Sequence, residues 1–126
     1  MRRKAFFLTL VCCLLSFMQP IVATPYLNGS EPEKIKKFVG QMVAVEGVVM
    51  DSHIARSGKV RFLNFGPEYK TAFAVVIFTG DLKNFKSIGE PTEYYLGKRV
   101  VVSGRIKIYK GRPEIIVENP RQIKTK

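Results

Sequence analysis

Between Met42 and Val117 the chain carries five runs dominated by β-branched and aromatic residues, each ended by glycine, proline or a polar turn. Residues of these types favour a pleated, half-buried backbone. No stretch between the runs is long and regular enough for a crossover helix, and a parallel α/β sheet cannot be wound without one. The runs are Met42–Met50, Lys59–Phe65, Thr71–Phe78, Arg99–Ile108 and Pro113–Val117. In the first, Val43, Val45 and Gly47 share a face, and Gly47 marks a bulge or bend. In the second, Lys59, Arg61 and Leu63 alternate with Val60, Phe62 and Asn64, and Gly66-Pro67 ends the strand. The third is apolar on both sides, with Phe73, Val75 and Ile77 against Ala74, Val76 and Phe78, as in a strand covered on both faces. In the fourth, Val100, Val102, Ile106 and Ile108 form the core side, and Gly104 allows a bend. Tyr109-Lys110-Gly111-Arg112 is the hairpin to the fifth. A small closed barrel satisfies the strand edges at this length; a partly open roll of the same strands is the alternative.

The remaining segments read as turns and short helices. Thr24–Gly29 is a loose leader, and Ser30 caps a short helix containing Pro32, Glu33, Ile35 and Phe38, with Gly40 as its stop. Asp51–Gly58 is polar and turn-like. Asp81–Phe85 and Glu93–Leu96 are single helical turns, kept apart by Pro91.

The N-terminus sets the compartment. Arg2, Arg3 and Lys4 precede an apolar run from Ala5 to Met18, followed by Pro20 and the small residue Ala23. This is the layout of a secretory signal peptide over residues 1–23. A retained anchor is the alternative, although the run is shorter than the ~20 residues a spanning helix requires. Lipid attachment at Cys12 or Cys13 is a further one, without the small preceding residues such a signal uses. After cleavage no stable membrane span is expected, and the product is exported, either periplasmic or secreted.

Both cysteines fall in that segment, so a chain starting at Thr24 has no internal disulfide, cysteine metal site or thiol nucleophile. Its fold must rest on an apolar core. Residues 24–39 read as leader and short helix, and residues 40–126 as one domain. Without Arg2, Arg3 and Lys4, 18 basic side chains stand against 10 acidic ones, a net charge of +8 with His53 neutral. Such a balance favours a polyanionic partner, with solubility as the plainer explanation.

The stretches VGQMVAVEGVV, KVRFLNFGPEYKTAFAVVIFTGDLKNF and YYLGKRVVVSGRIKIYKGRPEIIVENPRQI together cover most of Gly40–Ile123. In them the chain resembles the OB-fold, nucleic-acid-binding type domains of bacterial and archaeal proteins. FLNFG followed by a threonine-led strand, and GRPEII near the end, carry most of the likeness. The resemblance implies an all-β, five-stranded OB-fold barrel with short helices. It also implies a ligand face across the second and third strands and their loops. Related domains occur beside nuclease domains, so a role as accessory subunit of a nuclease is a further possibility.

Single-stranded nucleic acid is held by cations along the phosphates and aromatic faces against the bases. Lys59, Arg61, Phe65, Tyr69 and Lys70 offer these groups around the second strand. Lys107, Tyr109, Lys110 and Arg112 offer them at the last hairpin. Together they are the candidate groove for single-stranded nucleic acid or a similar polyanion. Phe62 and Phe73 read as core, Asn64 as closing a turn and His53 as a loop residue. A protein-interaction module is the competing reading, because one fold hosts many functions. Only Lys34–Val39 approaches an amphipathic membrane-surface helix, and it is short.

Catalysis is not expected. His53 is the sole histidine, and its neighbour Ser52 does not make a triad. The scattered carboxylates do not suggest a two-metal site. Glu114 and Glu118 flank the last strand and hint at most at a local cation site. No metal or other cofactor is expected.

Overall fold

The structure, a computed structural model, describes residues 23–126. The signal segment read at 1–23 therefore lies outside the described residues except for Ala23. No described helix is long and apolar enough to cross a membrane. The elements run β1 (Tyr26–Asn28), α1 (Pro32–Lys36), β2 (Met42–Val48), β3 (Asp51–Ile54), β4 (Val60–Asn64) and β5 (Ala74–Phe78). A 3-10 segment (Thr79–Phe85), α2 (Pro91–Tyr94), β6 (Arg99–Arg105), β7 (Lys107–Tyr109) and β8 (Arg112–Ile116) follow. A 3-10 turn (Pro120–Gln122) and β9 (Ile123–Thr125) close the chain.

This corrects the expected single five-stranded barrel. The strands form two separate sheets, one of four strands in the order β1-β2-β6-β9 and one of five in the order β3-β4-β5-β8-β7, and neither closes on itself. The physical reason lies at two corners where a long run changes partner. β2 pairs along its length with β6. At Val49 the backbone N–H donates to the Lys98 carbonyl, and the next N–H, that of Met50, donates to Asn64 instead. The chain then continues as β3 against β4. The Arg99–Ile108 run breaks in the same way at Ile106, whose N–H donates to Gln41, and resumes as β7 against β8. Strands that switch sheets at corners are a recognised way of building a packed two-sheet core. Val49 and Ile106 are both buried, so each corner is anchored from within.

The core is formed by Val43 and Val45 of β2, Leu63 of β4, Val75 and Ile77 of β5, Val100 and Val102 of β6, and Ile115 of β8. Ile35, Phe65, Phe73, Phe85 and Tyr95 join them from the helices and connections. Gly104 meets this core by close approach, since a Cβ there would come within 2.5 Å of Ile115 Cγ2. Ile108, expected on the core side, does keep the inner side of the sheet opposite Pro113, but it is exposed because β7 is the edge strand.

Several local expectations also change. The leader supplies β1, which pairs in parallel with β2. Ser30 does not cap α1; its N–H and hydroxyl both bond Asn28 Oδ1, and Glu31 is the N-cap, without a side-chain cap bond. The polar stretch after Met50 is β3, held as a strand by its pairing with β4. Asp81–Phe85 does turn helically, within the 3-10 segment. The second helical turn starts at Pro91, with Glu90 as its N-cap accepting from the Thr92 N–H at 3.1 Å.

Candidate nucleic-acid interface

Strand register alone defines a face. Partners directly opposite in a sheet project to the same side, and side alternates along each strand. In the five-stranded sheet the pairs are His53–Phe62, Phe62–Val76, Asn64–Ala74, Ala74–Glu114, Lys107–Glu114 and Tyr109–Arg112. All of these residues therefore lie on one side. Leu63, Val75 and Ile115, fully buried, lie on the other, toward the core. The His53 side is the outer face.

A groove of about 450 Å³ opens on this face. Its floor is Phe62 and Arg112, with His53 from β3 at one side. Tyr69 and Lys70 come from the β4–β5 connection, and Tyr109 and Lys110 from the β7–β8 turn. His53 stacks on Phe62 with ring centroids 4.9 Å apart and planes at 27°, and meets Tyr69 edge-on at 6.4 Å. The Arg112 guanidinium lies 4.9 Å from the Phe62 ring centre, in cation–π position. The β7–β8 turn projects its side chains because Lys110 and Gly111 both have positive φ, 49° and 80°, as a two-residue type I′ hairpin requires. Among the described residues no carboxylate lines the groove.

Arg112 is the most constrained of these groups. It is 8% exposed, and its Nη1 donates to the Tyr69 carbonyl at 2.8 Å, tying the β4–β5 connection over the sheet. Asn64 Oδ1 lies 3.5 Å from the same nitrogen, at the limit of a hydrogen bond. Asn64 is fully buried and, among the described residues, its Nδ2 has no partner, a cost of about 1–3 kcal/mol for a buried polar group. Glu114, beside this cluster, is buried as well. Burial pushes its carboxyl above the usual range, and the charges of Arg112 and Lys107 hold it back.

Five of the nine candidate residues thus meet in the groove: Tyr69, Lys70, Tyr109, Lys110 and Arg112. Four do not line it. Phe65 is 3% exposed, turned inward against Phe73 and seated on Gly29 and Gly47, where a Cβ would come within 2.7 Å of its ring. That seat, rather than a bulge, accounts for Gly47. Arg61 shares the inward side of β4 with Leu63; it pairs with Glu90 at 3.0 Å and donates to Gly58 O and Thr79 Oγ1. Lys59 is exposed at the β3–β4 turn. Lys107 is on the outer face beside Glu114 but outside the lining. Phe62 and His53, read as core and as loop, are groove residues instead. Their signal was the alternation of β4, which sets Phe62 opposite to Leu63. Among the described residues no three His, Cys, Asp or Glu side chains are grouped to hold a metal ion.

No protein-family model matches the chain, and no curated protein matches it. Solved structures do. An OBody, AM1L10, bound to hen egg-white lysozyme is 22% identical with a TM-score of 0.50, over 71% of this chain and 83% of its own. A putative aspartyl-tRNA synthetase from Leishmania major Friedlin is 15% identical with a TM-score of 0.50, over 86% of this chain. An asparaginyl-tRNA synthetase from Entamoeba histolytica, in complex with asparaginyl-adenylate, reaches 0.49 at 17% identity over 85%. The chain spans 22% and 24% of these two synthetases. At such identities the likeness is one of fold alone: a distant similarity to OB-fold-type domains, here in two open sheets.

Proposed function

We propose that this chain is a noncatalytic binding module, exported by its N-terminal segment, whose outer-face groove holds single-stranded nucleic acid. The observation that carries the reading is the lining itself, which combines four rings (His53, Phe62, Tyr69 and Tyr109) with three cations (Lys70, Lys110 and Arg112) and, among the described residues, no carboxylate. Rings offer stacking surfaces to any base, and cations track the backbone. The net charge of +8 from Thr24 onward, 18 basic against 10 acidic side chains, adds long-range attraction for a polyanion.

The test is a fluorescence-anisotropy titration with labelled single-stranded DNA and RNA at several salt concentrations. Neutralising about three phosphates predicts that log K falls with log salt at a slope near −2. Tyr109→Ala with Lys110→Ala should weaken binding at every salt. A flat salt response, or no binding at low salt, removes the reading.

A protein-interaction module has its own support, and the comparisons lean toward it: the OBody that shares this fold over 83% of its length is bound to a protein, lysozyme. In that case the same groove takes a polypeptide, and affinity changes little between low and moderate salt.

A further inference from the structure

The three cations of the groove are not equivalent. Lys70 and Lys110 are exposed at its rim, where they suit phosphates. Arg112 is at the floor, 8% exposed, pinned through Nη1 to the Tyr69 carbonyl and lying against Phe62. Among the described residues its Nε and Nη2 make no hydrogen bond, while its side chain lines the groove. A base whose phosphate meets the rim lysines would turn its edge toward the floor.

We infer that Arg112 is a specificity-determining residue that reads a base edge and selects guanine within a single strand; this rests on the nucleic-acid reading above. A fixed guanidinium fork presents parallel donors and matches two adjacent acceptors. Guanine supplies both, O6 and N7, on one edge. Adenine sets an amino donor beside N7, and thymine puts its N3 donor between O4 and O2. Unpaired cytosine offers the adjacent acceptors O2 and N3, but on a single ring with less surface to stack, so it ranks second to guanine. With the wrong base a donor at this shielded floor is left unpaired, which is how a polar site discriminates.

The experiment uses the chain from Thr24 and single-stranded 9-mers of dT carrying dG, dA, dC or 7-deaza-dG at the centre. The dG oligomer should bind about tenfold tighter than the dA one, and 7-deaza-dG, which lacks the N7 acceptor, should lose most of that gain. In Arg112→Lys the ratio of the dG and dA dissociation constants should fall toward one. Equal affinities for all four centres, or an unchanged ratio in Arg112→Lys, would overturn the inference while leaving the nucleic-acid reading intact. Failure of every oligomer to bind at low salt would remove that reading, and the inference with it. The 7-deaza comparison needs no variant, so it decides the matter even if Arg112→Lys misfolds.

Discussion

Phe62 and Phe65 stand three positions apart and have opposite roles. Phe62 is on the outer face, stacked by His53 and flanked by Arg112; Phe65 is in the core, clasped by Gly29 and Gly47. Phe65→Ala should therefore cost about 3–5 kcal/mol of stability. Tyr109→Ala, at an exposed turn, should change stability by no more than about 0.5 kcal/mol. It should nonetheless cut nucleic-acid affinity by roughly 5- to 150-fold, the worth of one stacked base. Denaturant melts and titrations of the two variants check this; equal effects on both quantities would contradict the division between core and groove. The division was partly legible in the sequence. Leu63 commits its side of β4 to the core, so Arg61 follows it inward and Phe62 faces out. Residue type pointed the other way for Arg61 and Phe62, and face was the better guide. Phe65 lies past the end of the strand at Gly66-Pro67, where alternation stops. Its direction is set by two glycines on distant segments, which no local pattern records.

The short helix α2 is tied to β4 by Glu90, which accepts from the Thr92 N–H and from Arg61. Burial pushes the Glu90 carboxyl upward, but those hydrogen bonds outweigh it and hold the group below the usual carboxylate range. A carboxyl lowered on folding contributes stability above its unfolded value, near 4.3, and loses it as pH falls through the lowered folded value. The melting temperature of the native chain should accordingly fall more steeply than that of Glu90→Gln between about pH 5 and 3; parallel curves would refute the tie. The five long apolar runs were readable as strands because their composition and alternation agree. Of the edge strands only β7 was, as the end of the Arg99–Ile108 run. β1, β7 and β9 are three residues each, and β3 is Asp51-Ser52-His53-Ile54, a poor strand former made one by its partner β4. Alternation within one run also cannot reveal a change of partner, which is why the corners at Val49 and Ile106, and hence the two open sheets, escaped sequence reading.

Charge and topology together set the behaviour of the molecule. The four-stranded sheet packs behind the five-stranded one, and Glu114 lies buried on the outer face of the latter, opposite Lys107 and two residues from the buried Arg112. Burial raises its carboxyl, Arg112 and Lys107 opposing. A carboxyl raised on folding favours the native state below its unfolded value, and that advantage is lost as pH rises through the raised one. Glu114→Gln should therefore melt higher than the native chain at pH 7, with the gain shrinking as pH falls into the carboxylate range. It should also bind a polyanion more tightly, one negative charge having left the face. A lower melting temperature at pH 7 would mean that Glu114 is an essential partner of Arg112 instead. The measurement to make first is a nuclear magnetic resonance titration of isotope-labelled Thr24–Lys126 with a short single-stranded oligonucleotide, following every backbone amide. Saturable shifts should concentrate at His53, Phe62, Tyr69, Lys70 and Tyr109–Arg112, and leave β1, β9 and the Glu46–Lys126 ion pair of the other sheet unmoved. Shifts centred on the four-stranded sheet, or none at low salt, would contradict the assignment of the outer-face groove as a nucleic-acid site.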